Sequence, residues 1–242
     1  VLGFADEKLD ETPEGVAICR LIHYPGEAHL LTFASTGAGK GIGTIIPNLL
    51  DHRGSALVIA PKGENAAITA EWRQNMRPGA QAHVLDPWQI SGHETSAFNP
   101  LDLIHPDNEE FANDAMRIAD ALVPGDSGRD SHWDESAKAL LMGLILYTAF
   151  EEPADNRNLF RIRQFLSLSG EAFATLLATM QQSDKAYGLI ARYGGRFAGT
   201  PERERGSILS TAQRNTEFLD AALPQMRRVL MHSDFDIHDL KN

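Results

Sequence analysis

The chain carries one cysteine, Cys19, in 242 residues, so no internal disulfide can staple it, and a globular chain of this length needs none. It also lacks a long apolar run. The longest, Leu140 to Phe150, ends in Glu151 and Glu152; a membrane span takes about 20 apolar residues, so this run reads as a buried helix. No basic segment followed by an apolar stretch opens the chain, which starts at Val1. A secretory signal is therefore not expected, and a start without methionine reads as a processed or partial chain. Basic residues are the minority: 22 Lys and Arg against 33 Asp and Glu leave a net charge of −11, with −5 up to residue 106 and −6 after it. Duplex-binding modules ordinarily present a basic face, so direct DNA binding by this chain alone is disfavoured. Nine histidines are scattered without cysteine partners, and the spacing of His232 and His238 suits no helical metal pair. No Gly-x-Ser-x-Gly element is present, and Cys19 has no recognisable catalytic context.

What remains is ordinary globular composition, 43% hydrophobic and 23% charged, which excludes a disordered or collagen-like chain. Two textures divide it. Up to about residue 105, short apolar runs (Val16 to Ile22, Ala28 to Phe33, Ser55 to Ile59, Gln81 to Leu85) alternate with helical patterns at 42–50 and 66–76. That alternation predicts an α/β domain with a mostly parallel sheet. After Asp107 the strand signal ends and helical stripes follow: Phe111, Ala115, Ile118 and Leu122, then Trp133, Ala137, Leu140, Leu141, Leu144 and Thr148 behind a capping box of Ser131 and Asp134. Further helices are predicted over 170–182 and 184–198, the latter weakened by Gly194 and Gly195, and after Thr200 as N-cap with Pro201 as first helical residue.

The strongest chemical signal is the stretch from His29 to Gly43, where an apolar strand (Leu30 to Phe33) runs through a glycine-rich turn with Lys40 into a helical pattern. This is the context of a phosphate-binding loop: glycines let backbone N–H groups converge, the helix start adds positive potential, and a lysine reaches the outer phosphates. Thr36, Gly37, Ala38, Gly39, Lys40, Gly41 and Ile42 would form the cradle. The strict pattern is broken twice, by Ala34 at the first glycine position and by Gly41 where a hydroxyl residue normally holds Mg²⁺; Thr44 is a turn deeper and does not replace it. The alternative is a glycine-rich strand-to-helix turn with an exposed lysine. Hydrolysis of a nucleoside triphosphate further needs an acid at a strand end. Ser55 to Ala60 has alanine at that place, whereas Ala82 to Asp86 ends in an acid before Pro87, which reads equally as a turn-forming Asp-Pro.

The ordered set Thr36-Gly-Ala-Gly-Lys-Gly-Ile-Gly43 with Ile46-Pro-Asn-Leu-Leu50, Pro61-Lys-Gly-Glu64, Val84-Leu-Asp-Pro87, Phe98-Asn-Pro-Leu-Asp102, His132-Trp133 and Ser233-Asp-Phe235 resembles the type IV secretion coupling proteins, the TraG-type ATPases of conjugative DNA transfer. The resemblance covers about residues 28–240. It implies an α/β, RecA-like P-loop NTPase motor domain, incomplete in this chain, interrupted by an all-α inserted domain. Residues 1–106 would be the N-terminal part of the nucleotide-binding domain, 107–231 the all-α domain, and 232–242 the start of the return to the nucleotide-binding domain. It implies ATP as cofactor, held by the 36–42 loop with Lys40 as the catalytic lysine. Mg²⁺ is expected less, although a glycine after that lysine is common in the family. The family usually has Asp before the Pro-Lys-Gly-Glu segment, where Ala60 stands here. Further implications are a hexameric ring at the cytoplasmic face of the bacterial inner membrane and relaxase or effector proteins as partners of the helical half. Contacts with other secretion-system subunits are implied too, and with DNA in the full-length protein only. The family's membrane-spanning N-terminus would precede Val1 and its acidic strand motif would follow Asn242, so the isolated chain is expected to hydrolyse ATP negligibly.

Other residues stay open between roles. Lys62 and Glu64 follow a predicted strand, where α/β domains put ligand groups, and equally form a turn before a helix. His132 and Trp133 read as cap and core. Arg157, Arg161 and Arg163, and Arg203 with Arg205, are interleaved with acids or apolar residues and read as a solvated helical face in preference to a DNA contact. Beside the motor fragment stand two other readings: a non-catalytic substrate-recognition module of the same machinery, whose acidic helices would steer a basic partner tail, and a self-contained P-loop kinase using Lys40 and Asp86.

Overall fold

The computed structural model describes residues 3–11, 17–22, 24, 26, 28–125 and 131–241. The chain divides into two compact units, residues 1–95 with 236–242, and residues 96–235.

In the first unit, β1 (Gly3–Glu11) and β2 (Ala17–Ile22) pair antiparallel, from Gly3 opposite Ile22 to Glu11 opposite Ala17. Val16 of the expected strand lies outside the described residues. The runs at 28–33, 55–59 and 81–85 are not strands, and no parallel pairing occurs among the described residues. The reason is physical: a strand's hydrogen bonds are made to a neighbour, and here no neighbouring strand is present to accept them. Their apolar side chains stand in solvent accordingly, with Phe33 88%, Leu57 83% and Ile59 87% exposed. The helical expectations of this half hold. A single π turn (Gly41–Ile45) leads into α1 (Ile46–Asp51), and α2 runs over Glu64–Asn75.

The second unit is built on helices. α3 (Phe111–Leu122) buries Phe111, Ala115, Ala119 and Leu122 on one face, the i, i+4, i+8 stripe that a 3.6-residue period requires. α4 (Ser131–Glu151) is the axis of the unit: Leu140, Leu141, Met142, Leu144, Ile145 and Leu146 are all buried, so the helix is covered on every side, and α3, α5, α7 and α8 pack on it. Of its expected capping box, the Ser131 side chain lies outside the described residues. α5 (Leu159–Leu166) and α6 (Gly170–Gln181) begin at Asn158 and Ser169, whose side chains accept from the Arg161 and Ala172 N–H groups, ordinary N-caps. The predicted helix over 184–198 is shorter. Ala186 and Tyr187 take left-handed backbone (φ 51° and 53°) before α7 (Leu189–Ala198) starts. α8 (Glu202–Asn215) has Pro201 as its N-cap; Thr200 does not cap it, because its hydroxyl donates back to the Arg196 carbonyl of α7. α9 (Pro224–Leu230) completes the set. α4, α6 and α7 meet through glycine: a Cβ at Gly143 would lie 2.7 Å from Tyr193 Cβ, and one at Gly194 would lie 2.8 Å from Met180 Cβ.

The two ends of this unit are fastened to each other. The Ala97 N–H donates to Asp234 Oδ2 (2.7 Å) and the Asp234 N–H to the Ala97 carbonyl (3.0 Å). The Asn99 N–H donates to Ser233 Oγ, whose hydroxyl donates to Asp102 Oδ2 at 2.6 Å. Asn99 is buried, and its amide donates to Asp102 Oδ1 and to the Arg157 carbonyl. Phe98 stacks on Phe235 with ring centres 5.7 Å apart. The Phe98-to-Asp102 and Ser233-to-Phe235 segments are thus the two halves of one clasp. No helix among the described residues is long and apolar enough to cross a membrane.

Candidate functional site

The loop from Ala34 to Lys40 turns on two glycines in left-handed backbone, Gly37 at φ 80° and Gly39 at φ 78°, a conformation glycine adopts without strain. Space around the loop is open: a Cβ at Gly37, Gly39, Gly41 or Gly43 would meet nothing within 4 Å. Ala38 N–H donates to the Ser35 carbonyl (3.2 Å) and Gly43 N–H to the Gly39 carbonyl (2.7 Å). The N–H groups of Thr36, Gly37 and Gly39 have no hydrogen-bond partner among the described residues. The Lys40 ammonium folds back over the start of the loop and donates to the carbonyls of Ala34 (2.6 Å) and Ser35 (2.9 Å). Gly41 and Ile42 follow in the π turn. Unpaired backbone donors, a lysine ammonium bonded only to carbonyls of its own loop and a helix start make a donor set that fits a phosphate chain. It does not fit a divalent cation in the same way. Gly41 offers no side-chain oxygen, and among the described residues no group of three or more His, Cys, Asp or Glu could hold a metal ion.

Lys62 and Glu64 are exposed on either side of a buried Gly63. Gly63 is left-handed (φ 71°), and a Cβ there would crowd Ile90 Cγ1 at 3.0 Å and the Ser91 backbone at 3.1 and 3.2 Å. The Pro61-to-Glu64 turn therefore seats against the turn that follows Asp86, and the His93 ring nitrogen adds a 3.0 Å contact to the Ala66 carbonyl. Asp86 is buried. Its carboxylate accepts from the Ser91 N–H at 2.7 Å, while its own N–H donates to Thr95 Oγ1 at 2.9 Å. Burial works to raise the Asp86 carboxyl, but hydrogen bonds from the Ser91 backbone and hydroxyl and from the Ile90 and Gln89 N–H groups outweigh it and hold it below the ordinary value of 3.8. The carboxylate holds its own loop, a geometry in keeping with the turn-forming reading of Asp86. Among the described residues no hydrogen bond or ion pair joins Lys40 to Lys62, Glu64 or Asp86.

A depressed carboxylate stabilises the fold above its unfolded value and ceases to as pH falls through its folded value. Melting of the chain should therefore drop on acidification below about pH 4, and Asp86→Asn, which keeps the shape without the charge, should shrink that drop while lowering stability at pH 7. Melting curves at pH 7, 4 and 3 measure it; an undiminished acid dependence in the variant removes Asp86 as its source.

The arginine clusters are only partly a solvated face, because two of their arginines are taken up inside the helical unit. Arg161 pairs with Glu152 through Nε (2.9 Å) and Nη2 (3.2 Å) and lies 4.5 Å over the Phe165 ring. Arg157 donates to the Glu152 carbonyl, and Arg163 to the Gln213 carbonyl at 2.8 Å. Arg161 and Arg163 thus tie α5 to the end of α4 and to α8, while Arg157 and Arg203 stand exposed, as expected, with Arg205 half-buried. Trp133 packs against the core with His132 edge-on to it, and His132 lines a cleft of about 160 Å³ with Tyr193, Arg196, Phe197 and Glu204. Sequence reasoning passed over Arg73, whose guanidinium gathers three backbone carbonyls at the end of α1. The available signal was an arginine in the last turn of a helix, which says that it can cap carbonyls and not whose.

Comparison with known proteins bears on the whole chain. The family described as "Type IV secretory system Conjugative DNA transfer" matches residues 7–242. The conjugal transfer protein TraG of Escherichia coli is 33% identical over 231 residues, 90% of this chain and 35% of the relative. The type IV secretion system-coupling protein VirD4 of Bartonella quintana (strain Toulouse) is 25% identical over 226 residues, 90% of this chain and 34% of the relative. Protein VirD4 of Rhizobium radiobacter is 27% identical over 160 residues, 60% of this chain and 23% of the relative. The chain spans about a third of the length of the first two of these relatives.

Proposed function

Because the chain belongs to the type IV secretory system conjugative DNA transfer family, we propose that it is a piece of a coupling protein, an ATP-dependent motor that brings relaxase-bound DNA or effector proteins to a secretion channel. The observation that carries this reading is the loop at Thr36–Ile42: two left-handed glycines, unpaired backbone donors and a lysine folded onto the loop's own carbonyls. In it the free backbone N–H groups of Thr36, Gly37 and Gly39 in the 36–42 loop hold phosphate oxygens, and Lys40 leaves the Ala34 and Ser35 carbonyls for them. When bound, ATP supplies the free energy of phosphoryl transfer. Mg²⁺ finds no side-chain ligand at Gly41, and no step is assigned to it.

The RecA-like sheet is part of the proposal. The exposed Leu30, Phe33, Leu57, Ile59 and Leu85 are apolar residues with no cover, of the kind that sheet neighbours bury. In the family-length protein the segments 28–33, 55–59 and 81–85 would be such strands, within a nucleotide-binding domain of residues 1–106 resumed at 232–242, with 107–231 as the all-α domain. The same family reading puts that protein in a hexameric ring at the cytoplasmic face of the inner membrane, working with other secretion-system subunits. DNA would be a partner of the whole assembly and not of this acidic chain.

A second reading, a recognition module for relaxase or effector, is favoured by the shared core and fastened ends of residues 96–235. A kinase using Lys40 and Asp86 is disfavoured, since the Asp86 carboxylate is bound to its own loop. Pure 242-residue chain should turn over ATP no faster than its Lys40→Ala variant in a steady-state phosphate-release assay. Sustained turnover that Lys40→Ala removes would mark a complete catalytic unit and overturn the fragment assignment.

A further inference from the structure

α2 joins two places of interest. Over its 12 residues it is about 18 Å long. At one end, Gly63 is wedged against Ser91, the residue that Asp86 holds. At the other, two adjacent side chains reach the helix that issues from the Lys40 loop. The Arg73 guanidinium donates through Nη1 to the carbonyls of Leu49 (3.0 Å) and His52 (2.7 Å) and through Nη2 to that of Gly54 (2.6 Å). Trp72 Nε1 donates to the Leu50 carbonyl at 2.9 Å. α1 has six residues and no basic residue of its own in its last turn. Its terminal carbonyls, left without intrahelical donors and at the negative end of the helix dipole, are therefore closed from outside by a cation 24 residues along the chain from Leu49.

We infer that Arg73 is a positioning residue of the Lys40 loop: by holding the C-terminal end of α1 and the first residues after it, it sets the direction in which that helix presents its phosphate-binding end. A helix this short has few other contacts to fix it. Leu49 is its only buried residue, and the apolar Ile42 and Ile45 before it stand exposed. A planar, forked cation can meet three carbonyls at once, whereas the compact ammonium of lysine cannot. Arg73 touches no phosphate. Its effect passes through α1 and is distinct from the role of Lys40, and for its nucleotide arm the inference rests on the proposed phosphate-binding reading.

The test uses the 242-residue chain as wild type, Arg73→Ala, Arg73→Lys and Trp72→Phe, with two readouts. The first is hydrogen exchange without nucleotide: in Arg73→Ala the amides of 41–51 should exchange about tenfold faster or more, those of α3 unchanged, with Arg73→Lys intermediate and Trp72→Phe closest to wild type. The second is the ratio of affinities for fluorescent mant-ATP and mant-AMP. A mispositioned loop loses the contribution of the outer phosphates, so the ratio should fall about tenfold in Arg73→Ala, whereas general loss of folded chain would weaken both nucleotides alike. Unchanged exchange at 41–51 in Arg73→Ala overturns the positioning role. Wild-type chain that binds mant-ATP no better than mant-AMP overturns the phosphate reading, while the exchange result still decides for or against Arg73.

Discussion

Lys40→Ala in the family-length protein is expected to lower DNA transfer from donor to recipient cells by about a hundredfold or more, the scale on which an enzyme loses rate when one charge-stabilising contact is removed. The argument is local. Between residues 28 and 52 the sequence contains no other Lys or Arg, so the loop has no second cation to take over. The lysine's present partners, the Ala34 and Ser35 carbonyls at 2.6 and 2.9 Å, are exposed neutral acceptors on the loop itself, and leaving them costs little beside what a phosphate returns. Folding should survive, because a half-buried side chain bonded only to its own loop contributes little to stability. Transfer frequency, read with protein level and circular dichroism, checks this. A Lys40→Ala protein that is folded, present at normal level and still transfers DNA would remove the loop from the mechanism.

Leu144→Ala is expected to destabilise the helical unit by about 2–5 kcal/mol, lowering its melting temperature by roughly 10 °C for a unit of this size. Leu144 is fully buried on the one helix that is covered all round. The site cannot readily collapse onto the space left. Next to it, Gly143 lets Tyr193 approach so closely that even a methyl would clash, and the Leu144 carbonyl is bonded by the Thr148 hydroxyl at 2.7 Å. Leu57→Ala is the contrast. With that side chain 83% exposed, the change should stay within about 0.5 kcal/mol in this chain. Thermal and urea unfolding followed at 222 nm measures both, and equal effects would mean that the difference in packing between the two halves is not what the burial implies.

The same contrast explains how far the sequence could be read. Helices carry their hydrogen bonds within themselves, so the stripe from Phe111 to Leu122 and the apolar run in α4 are legible from spacing alone. Strands depend on a neighbour, and Leu30 to Phe33 or Ser55 to Ile59 show the composition of a strand without the partner that would make one. Caps depend on which of several nearby donors wins, which is why Thr200 serves α7 and not α8. At the candidate site, the turn on Gly37 and Gly39 was legible because it depends on backbone conformation and local order; the phosphate-binding role of Lys40 is the proposal built on it. Asp86 reads from sequence as a turn or as an acid, and the bond from the Ser91 N–H, five residues on, is not announced by any local pattern. Arg73, Arg161 and Arg163 act on groups distant in sequence, and no local pattern announces that an arginine will end on a carbonyl or carboxylate elsewhere.

The clasp at the ends of the helical unit also sets an order of events during synthesis. Ala97 and Asp234 are 137 residues apart in the chain. At ribosomal rates of about 5–20 residues per second, roughly 7–30 s pass between the emergence of one partner and the other. Helices α3 to α8 can pair in that interval through nearer contacts, so the nascent chain would hold a nearly finished bundle whose first strap, Ala97 to Asp102, waits for its mate. A chain ended before Ser233 would keep the bundle but leave Ala97, Asn99 and Asp102 without the partners that fasten them.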